Sequence, residues 1–168
     1  MGEVLAIDSK LAVPIAIGRL DPTLDDIEIR LSLLGKALKR IGKFCEKYDT
    51  DAKPDYLIRA VHRDFVSTAA HEFFLYIAVR GDRVVAHLLA NVINHYGFSF
   101  GYVSQLEIDD DAQLTDEQVR KGFMACQRWA FENGATAMRA GAIMDAHMRV
   151  FRKFGFGDVI VRTVGKAI

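Results

Sequence analysis

The sequence predicts an α/β fold: a single mixed, largely antiparallel sheet held between helices. Three observations carry that expectation. Residues 72–80 and 83–93, EFFLYIAVR and RVVAHLLANVI, are two β-branched and aromatic runs separated by Gly81-Asp82, a pair suited to a two-residue hairpin turn. Both runs are nearly all apolar, so both faces of their sheet are expected to be covered. Around them lie longer stretches whose apolar residues recur every three or four positions, the period of a helix with one buried side.

The 168 residues read as one domain, long enough to bury roughly 70% of the surface of the unfolded chain without disulfide staples. Residues 1–71 are expected to be a helical N-terminal part, and residues 72–168 to hold the hairpin, a strand-helix pair and a closing strand-helix-strand. Asp21-Pro22-Thr23 reads as a helix entry, with proline at the first position where its missing N–H costs nothing. From there Leu24, Ile27, Leu31, Leu34, Leu38, Ile41, Cys45 and Tyr48 form one apolar seam. Two readings of the seam are open: packing along the sheet, or a coiled-coil-like contact between two subunits. Lys36, Lys39, Arg40, Lys43 and Lys47 are expected on a solvated face near the helix C-terminus, where cations suit the helix dipole.

A second helix is expected from Pro54 to about Ala70, with Leu57, Val61 and Phe65 on one side. After the hairpin the chain turns at Tyr96-Gly97 into a third strand, FSFGYVSQLEI. Thr115 to Asn133 forms a helix whose Val119, Phe123, Cys126 and Ala130 share a face, stopped by Asn133-Gly134. TAMRAGAIM reads as a strand, DAHMRVFRKFG as a short helix ending at Gly155, and VIVRTV as a last strand.

Lysine plus arginine balance aspartate plus glutamate at 22 each, so no overall charge marks a nucleic-acid or anionic-membrane binder. Glu3, Asp8 and Lys10 interrupt the apolar N-terminus, which argues against a membrane span or a signal peptide. Met1-Gly2 is a myristoylation-like start, but Ala6 stands where serine or threonine is wanted. A soluble, cytoplasmic protein is the expectation. Cys45 and Cys126 lie at apolar helical positions and read as buried free thiols. His71, His87 and His95 lack the nearby carboxylates of a metal site, so no metal is expected.

The second half resembles the GNAT superfamily of acyl-CoA-dependent N-acyltransferases. The resemblance covers about residues 72–160 and rests on QLEID as the end of the fourth strand, RWAFENGATAMRAGAI as the next helix, glycine stop and fifth strand, and RVFRKFGF as the closing helix. Residues 1–71 diverge from the family, and only one strand's worth of chain follows the closing helix where the family has two. That leaves a sheet edge open to a partner, and a homo-oligomer or protein assembly partner is expected.

The resemblance implies acetyl-CoA, or another acyl-CoA, as cofactor and an amine as acceptor. Its pantetheine arm would pair with the backbone of Leu106, Glu107 and Ile108. The family's phosphate loop is basic and glycine-rich, Arg/Gln-x-x-Gly-x-Gly/Ala, whereas this chain has Asp109 to Gln118 with no glycine. Thr115 and Gln118 are spaced as a capping box, and Asp116 and Glu117 put negative charge in the first turn of the helix. Both features oppose an incoming phosphate. Arg120 and Lys121 are the residues that would compensate.

For catalysis, Glu107, His87 and His95 are the base candidates, with His87 reading as a core histidine and His95 as a surface one. Tyr102 and Ser104 are candidate hydrogen-bond donors near the thioester. Phe151 stands where many members have a tyrosine acid. Two functions therefore stay open: an N-acyltransferase acting by direct transfer in a ternary complex, and a catalytically silent GNAT-fold structural or interaction protein, such as a phage virion or assembly component. The acceptor is not legible in the sequence.

Overall fold

In a computed structural model of the chain, residues 15–20, 27–48, 53–67, 72–141 and 145–157 are described. Their elements are β1 (Ile15–Arg19), α1 (Ile27–Tyr48), α2 (Pro54–Val66), β2 (Phe73–Arg80), β3 (Arg83–His95), β4 (Phe98–Ile108), α3 (Asp116–Glu132), β5 (Ala137–Ala140) and α4 (Asp145–Lys153). The sheet runs in the order β1-β2-β3-β4-β5. The first three pairings are antiparallel and β4 with β5 is parallel.

Both hairpin turns follow from their residues. Gly81 has φ 61° while Asp82 stays at negative φ, the pattern of a turn with glycine first, and Arg80 pairs with Arg83 across it. Tyr96 and Gly97 are both at positive φ, 46° and 80°, as a turn with two left-handed residues requires. The sheet is covered on both faces, as the apolar runs predict. Leu34, Ile41, Val61 and Phe65 of α1 and α2 pack on Leu75, Ile77 and Leu89. On the other face Phe123, Cys126 and Trp129 of α3 and Phe151 of α4 pack on Phe74, Leu88, Val103 and Leu106. Each such side chain removed from water contributes about 1.5–3 kcal/mol, which makes these two layers the main source of stability.

The structure departs from the sequence reading at the N-terminus. Strand β1 lies in a part expected to be helical, with Ile15 opposite Arg80 and Arg19 opposite Tyr76. Five residues holding only Ile15 and Ile17 as β-branched positions are too few to announce a strand by period. The α1 seam is buried from Leu34 to Cys45 inside the chain, so this part is not a contact between subunits, while Ile29 and Leu31 are exposed. Helix α2 stops at Val66, where the Ser67 N–H bonds the Arg63 carbonyl. The buried carboxylate of Asp64 then accepts the N–H groups of Glu72 and Phe73 at 2.8 and 3.1 Å and sets the start of β2. The helix entry at Asp21-Pro22-Thr23, His71 and the strand VIVRTV lie outside the described residues.

Candidate active site

Strand β5 runs beside β4 only from Ala137, opposite Phe100, to Ala140, opposite Val103. The Gly141 N–H bonds the Val103 carbonyl at 3.0 Å, and β4 then continues to Ile108 with only β3 beside it among the described residues. A bulge at this point makes Ser104 the extra residue, since Leu89 pairs with Gln105 and Ala90 with Val103. The Ser104 hydroxyl donates to the Leu89 carbonyl at 3.2 Å and so holds the bulge.

Beyond the fork the backbone orientation is fixed by one bond, from the Asp109 N–H to the Val85 carbonyl at 3.0 Å. Alternation along an antiparallel strand then turns Glu107 toward β3 and leaves the N–H and C=O groups of Leu106 and Ile108 on the open side. The Leu106 side chain is buried in the α3 layer, so only its backbone is on offer. Tyr102 stands at the fork itself: a β-carbon at Gly141 would collide with its hydroxyl.

On the α1 face the end of β4 borders a pocket of about 540 Å³ lined by Arg40, Lys43, Glu46, Lys47, Glu107 and Asp109. Arg40 is its anchor. Its guanidinium donates to the Val84 carbonyl at 3.1 Å, to Asp109 at 2.8 Å and to Glu107 at 3.2 Å. Lys47 reaches the other Glu107 oxygen at 3.4 Å. The expected solvated face is thereby corrected for Arg40, whose side chain is only 16% exposed. Lys36, Arg40, Lys43 and Lys47 recur at steps of four, three and four, the period of the apolar seam itself, so they form a stripe along one side of α1. That spacing was the available signal; Lys39 is off it.

Behind the pocket lies a directed chain of buried polar groups. Arg40 Nε stands 3.5 Å from His87 Nδ1, His87 Nε2 is 3.0 Å from Gln105 Oε1, and Gln105 Nε2 donates to Cys45 Sγ at 3.2 Å. Only a neutral imidazole with its proton on Nε2 satisfies both ring contacts. Burial pushes the His87 pKa down to about 4, with the Gln105 hydrogen bond opposing and the Arg40 charge assisting. His87 is thus a core histidine, as the sequence predicts, and His95 is exposed at the hairpin end. His147 of α4, absent from the sequence-derived candidates, packs against Phe44 and Tyr48 with ring centroids 6.2 and 5.7 Å away. Burial and then the Lys47 charge hold its pKa below the ordinary histidine value, against the pull of Glu107.

The start of α3 forms the expected capping box. The Thr115 N–H bonds the Gln118 side chain at 2.8 Å and the Gln118 N–H bonds the Thr115 hydroxyl at 3.2 Å. The N–H groups of Asp116 and Glu117, which a helix cannot pair internally, remain. Their carboxylates are neutralised, Asp116 by Lys153 at 2.6 Å and Glu117 by Lys121 at 3.0 Å. Arg120 lies over the Phe154 ring, 5.7 Å from its centroid. In the loop, Asp109 is held by Arg40 and Asp111 by Arg83 at 2.7 Å, which keeps the Asp111 carboxyl below its usual pKa. The charge of the loop is therefore largely answered by arginines from α1 and β3. Gln113 has φ 52°, a backbone state that glycine adopts without strain. Phe151 is buried against Phe123 and Phe156 and has no proton to give.

No protein-family model and no curated relative matches the chain. Solved structures do. An aminoglycoside acetyltransferase, meta-AAC0020, from an uncultured soil metagenomic sample has been solved with trehalose and with sisomicin; it is 16% identical, with 92% of this chain and 97% of that one covered and a TM-score of 0.58. A predicted acetyltransferase from Clostridium acetobutylicum, solved with acetyl-CoA, is 15% identical over 86% of this chain and 91% of its own, at a TM-score of 0.60. Aminoglycoside N-acetyltransferase AAC(6')-Iy, in complex with CoA, is 12% identical over 86% and 89%, at 0.57. The fold of this chain is that of the GNAT acetyltransferases.

Proposed function

We propose that the chain is an acyl-CoA-dependent N-acyltransferase with acetyl-CoA as its donor, acting on an amine in the cytoplasm. One observation carries this reading: among the described residues the sheet opens after Val103 and Gly141, and the backbone of Leu106 and Ile108 on the open side lies beside a charged pocket that holds Glu107. The solved neighbours bound to acetyl-CoA, to CoA and to sisomicin support the donor and the amine class of acceptor.

The residues present fit the donor. The open edge at Leu106 and Ile108 suits the amide groups of a pantetheine arm, and the α3 N-terminus offers the N–H groups of Asp116 and Glu117 to phosphate oxygens. Arg120 and Lys121 stand one turn further along. Lys121 reaches a phosphate by leaving Glu117, and an exposed ion pair of this kind is worth only about 0.2–1 kcal/mol. When bound, the donor supplies an acyl carbon activated as a thioester. The chain supplies proton handling: Glu107 takes the ammonium proton of the acceptor on a carboxylate oxygen, and Tyr102 holds its phenolic proton at the fork for the departing sulfur. Ser104, whose hydroxyl is committed to Leu89, keeps the bulge that shapes the fork.

The self-capped α3 and the buried Phe151 favour a second reading, a silent GNAT-fold protein that works through assembly. A thermal-shift titration with acetyl-CoA separates the two. Ligand at a hundred times its dissociation constant stabilises the fold by about 2.7 kcal/mol, or about 5–10 °C for a chain of this size. Ile108→Pro removes an N–H on the open side and leaves the bonds to β3, so it abolishes the shift while the variant stays folded. No shift for the wild-type chain at millimolar acetyl-CoA sinks the enzyme reading in favour of the silent one.

A further inference from the structure

Six ionisable side chains line the pocket on the α1 face, and their charges balance: Arg40, Lys43 and Lys47 against Glu46, Glu107 and Asp109. Four of them are already paired, with Arg40 on Glu107 and Asp109 and Lys47 on Glu107. Lys43 and Glu46 are exposed, one turn apart on α1, and make no ion pair with any described residue. Among the described residues the pocket thus offers one free cation, one free anion and one loose pair.

From this we infer that the acceptor is a small dipolar amine, a free amino acid or a short peptide carrying both an ammonium and a carboxylate. The inference rests on the acyltransferase reading and names its substrate class. The Lys47–Glu107 contact is long, at 3.4 Å, and the Lys47 side chain is 59% exposed, so this pair can exchange partners. A dipolar ligand completes the exchange on both sides. Its ammonium takes the place of Lys47 at Glu107, where the proton must be lost, and its carboxylate meets Lys47 and Lys43 on α1.

A polycation such as sisomicin gains Glu107 and the exposed Glu46 but faces three cations, the displaced Lys47, Lys43 and Arg40, and Arg40 is fixed by its hydrogen bonds to Val84, Asp109 and Glu107. An acceptor with an ammonium and no carboxylate leaves Lys47 without an anionic partner, with only the Tyr48 ring 4.9 Å from its Nζ. The local charge therefore selects against the aminoglycoside class found in the solved neighbour.

The test is calorimetric titration of the full chain, with and without millimolar CoA, using three probes: glycylglycine, its amide-ended form glycylglycinamide, and sisomicin. Glycylglycine is expected to bind about ten-fold or more tighter than the amide, and sisomicin more weakly than either. Lys43→Gln, a change at an exposed position, lowers the affinity for glycylglycine about ten-fold and leaves that for the amide unchanged. Equal binding of acid and amide, sisomicin as the tightest probe, or no binding by any of the three overturns the inference. CoA binding is read in the same experiment: its absence counts against the acyltransferase reading, whereas CoA binding without charge discrimination counts against the dipolar acceptor alone.

Discussion

His87 makes the stability of this fold depend on pH in a defined window. It is 1% exposed and neutral, with a folded-state pKa of about 4 against an ordinary value of 6.5. Below pH 6.5 the unfolded chain binds a proton there and the folded chain does not, so stability falls as pH drops from 6.5 toward 4. At about 1.4 kcal/mol per pH unit the full loss is on the order of 3 kcal/mol, and most of it, about 2 kcal/mol, falls between pH 7 and pH 4.5. For a chain of this length that lowers Tm by about 5–10 °C. The assay is urea unfolding at pH 7, 6, 5 and 4.5 on the wild type and on His87→Gln, whose amide replaces the Nε2 donor to Gln105 without titrating. Over this range the wild type should lose about 2 kcal/mol more than the variant, since other titrating groups cancel in the comparison. Asp111, held down by Arg83, loses its contribution at lower pH, beneath the usual carboxylate pKa. Parallel loss of stability in the two proteins would refute the assignment of His87 as a buried neutral base.

Tyr96→Asn should raise stability by about 0.5–1 kcal/mol, read as a higher urea midpoint, because an exposed tyrosine at φ 46° is strained where asparagine is tolerated. Asp64→Ala leaves the N–H groups of Glu72 and Phe73 without their carboxylate, and the expected loss is about 2–3 kcal/mol in denaturant unfolding with an unchanged m-value. Gly141→Ala drives a methyl group into the Tyr102 hydroxyl. It should slow acyl transfer about ten-fold, and Tyr102→Phe added to it should cost little more, since both act on one group. Arg40→Met removes the bonds that tie β4 to α1 and leaves Glu107 and Asp109 without their main counter-charge. Hydrogen exchange at the Glu107 and Asp109 amides should then accelerate about ten-fold or more, while Leu75 and Leu89 in the core hardly change.

Elements with enough residues to show a period were legible. The hairpin, β4, α3 with its capping box, and α4 fall where their spacing puts them, because turns, caps and apolar faces are local codes. Strand β1 was not, since five edge residues take their pairing from β2 and not from their own pattern. Glu107, Leu106 and Ile108 were legible as the end of a strand, yet their setting was not: the fork needs β5 to stop at Ala140, a tertiary fact. Arg40 reads as solvated from charge alone, although its steps of four from Lys36 and three to Lys43 share the seam's period. His147 is not legible as a site residue because nothing local announces that α4 brings it to Phe44 and Tyr48.

The fork explains why so much charge gathers at one end of the sheet. A strand that loses one neighbour loses half of its ladder, and a site built there needs its backbone held within a fraction of an ångström. Here the missing ladder is replaced from the side by Arg40, which joins the Val84 carbonyl of β3 to Glu107 of β4 and to Asp109 beyond it. The acidic loop that looks hostile to a phosphate is thus the counter-charge that fastens the end of β4. The same arrangement requires His87 to stay neutral, because a proton on Nδ1 would face Arg40 Nε at 3.5 Å and place two cations together. Acid should therefore loosen the end of β4 before it unfolds the remainder of the sheet, so that the site weakens at a higher pH than the core.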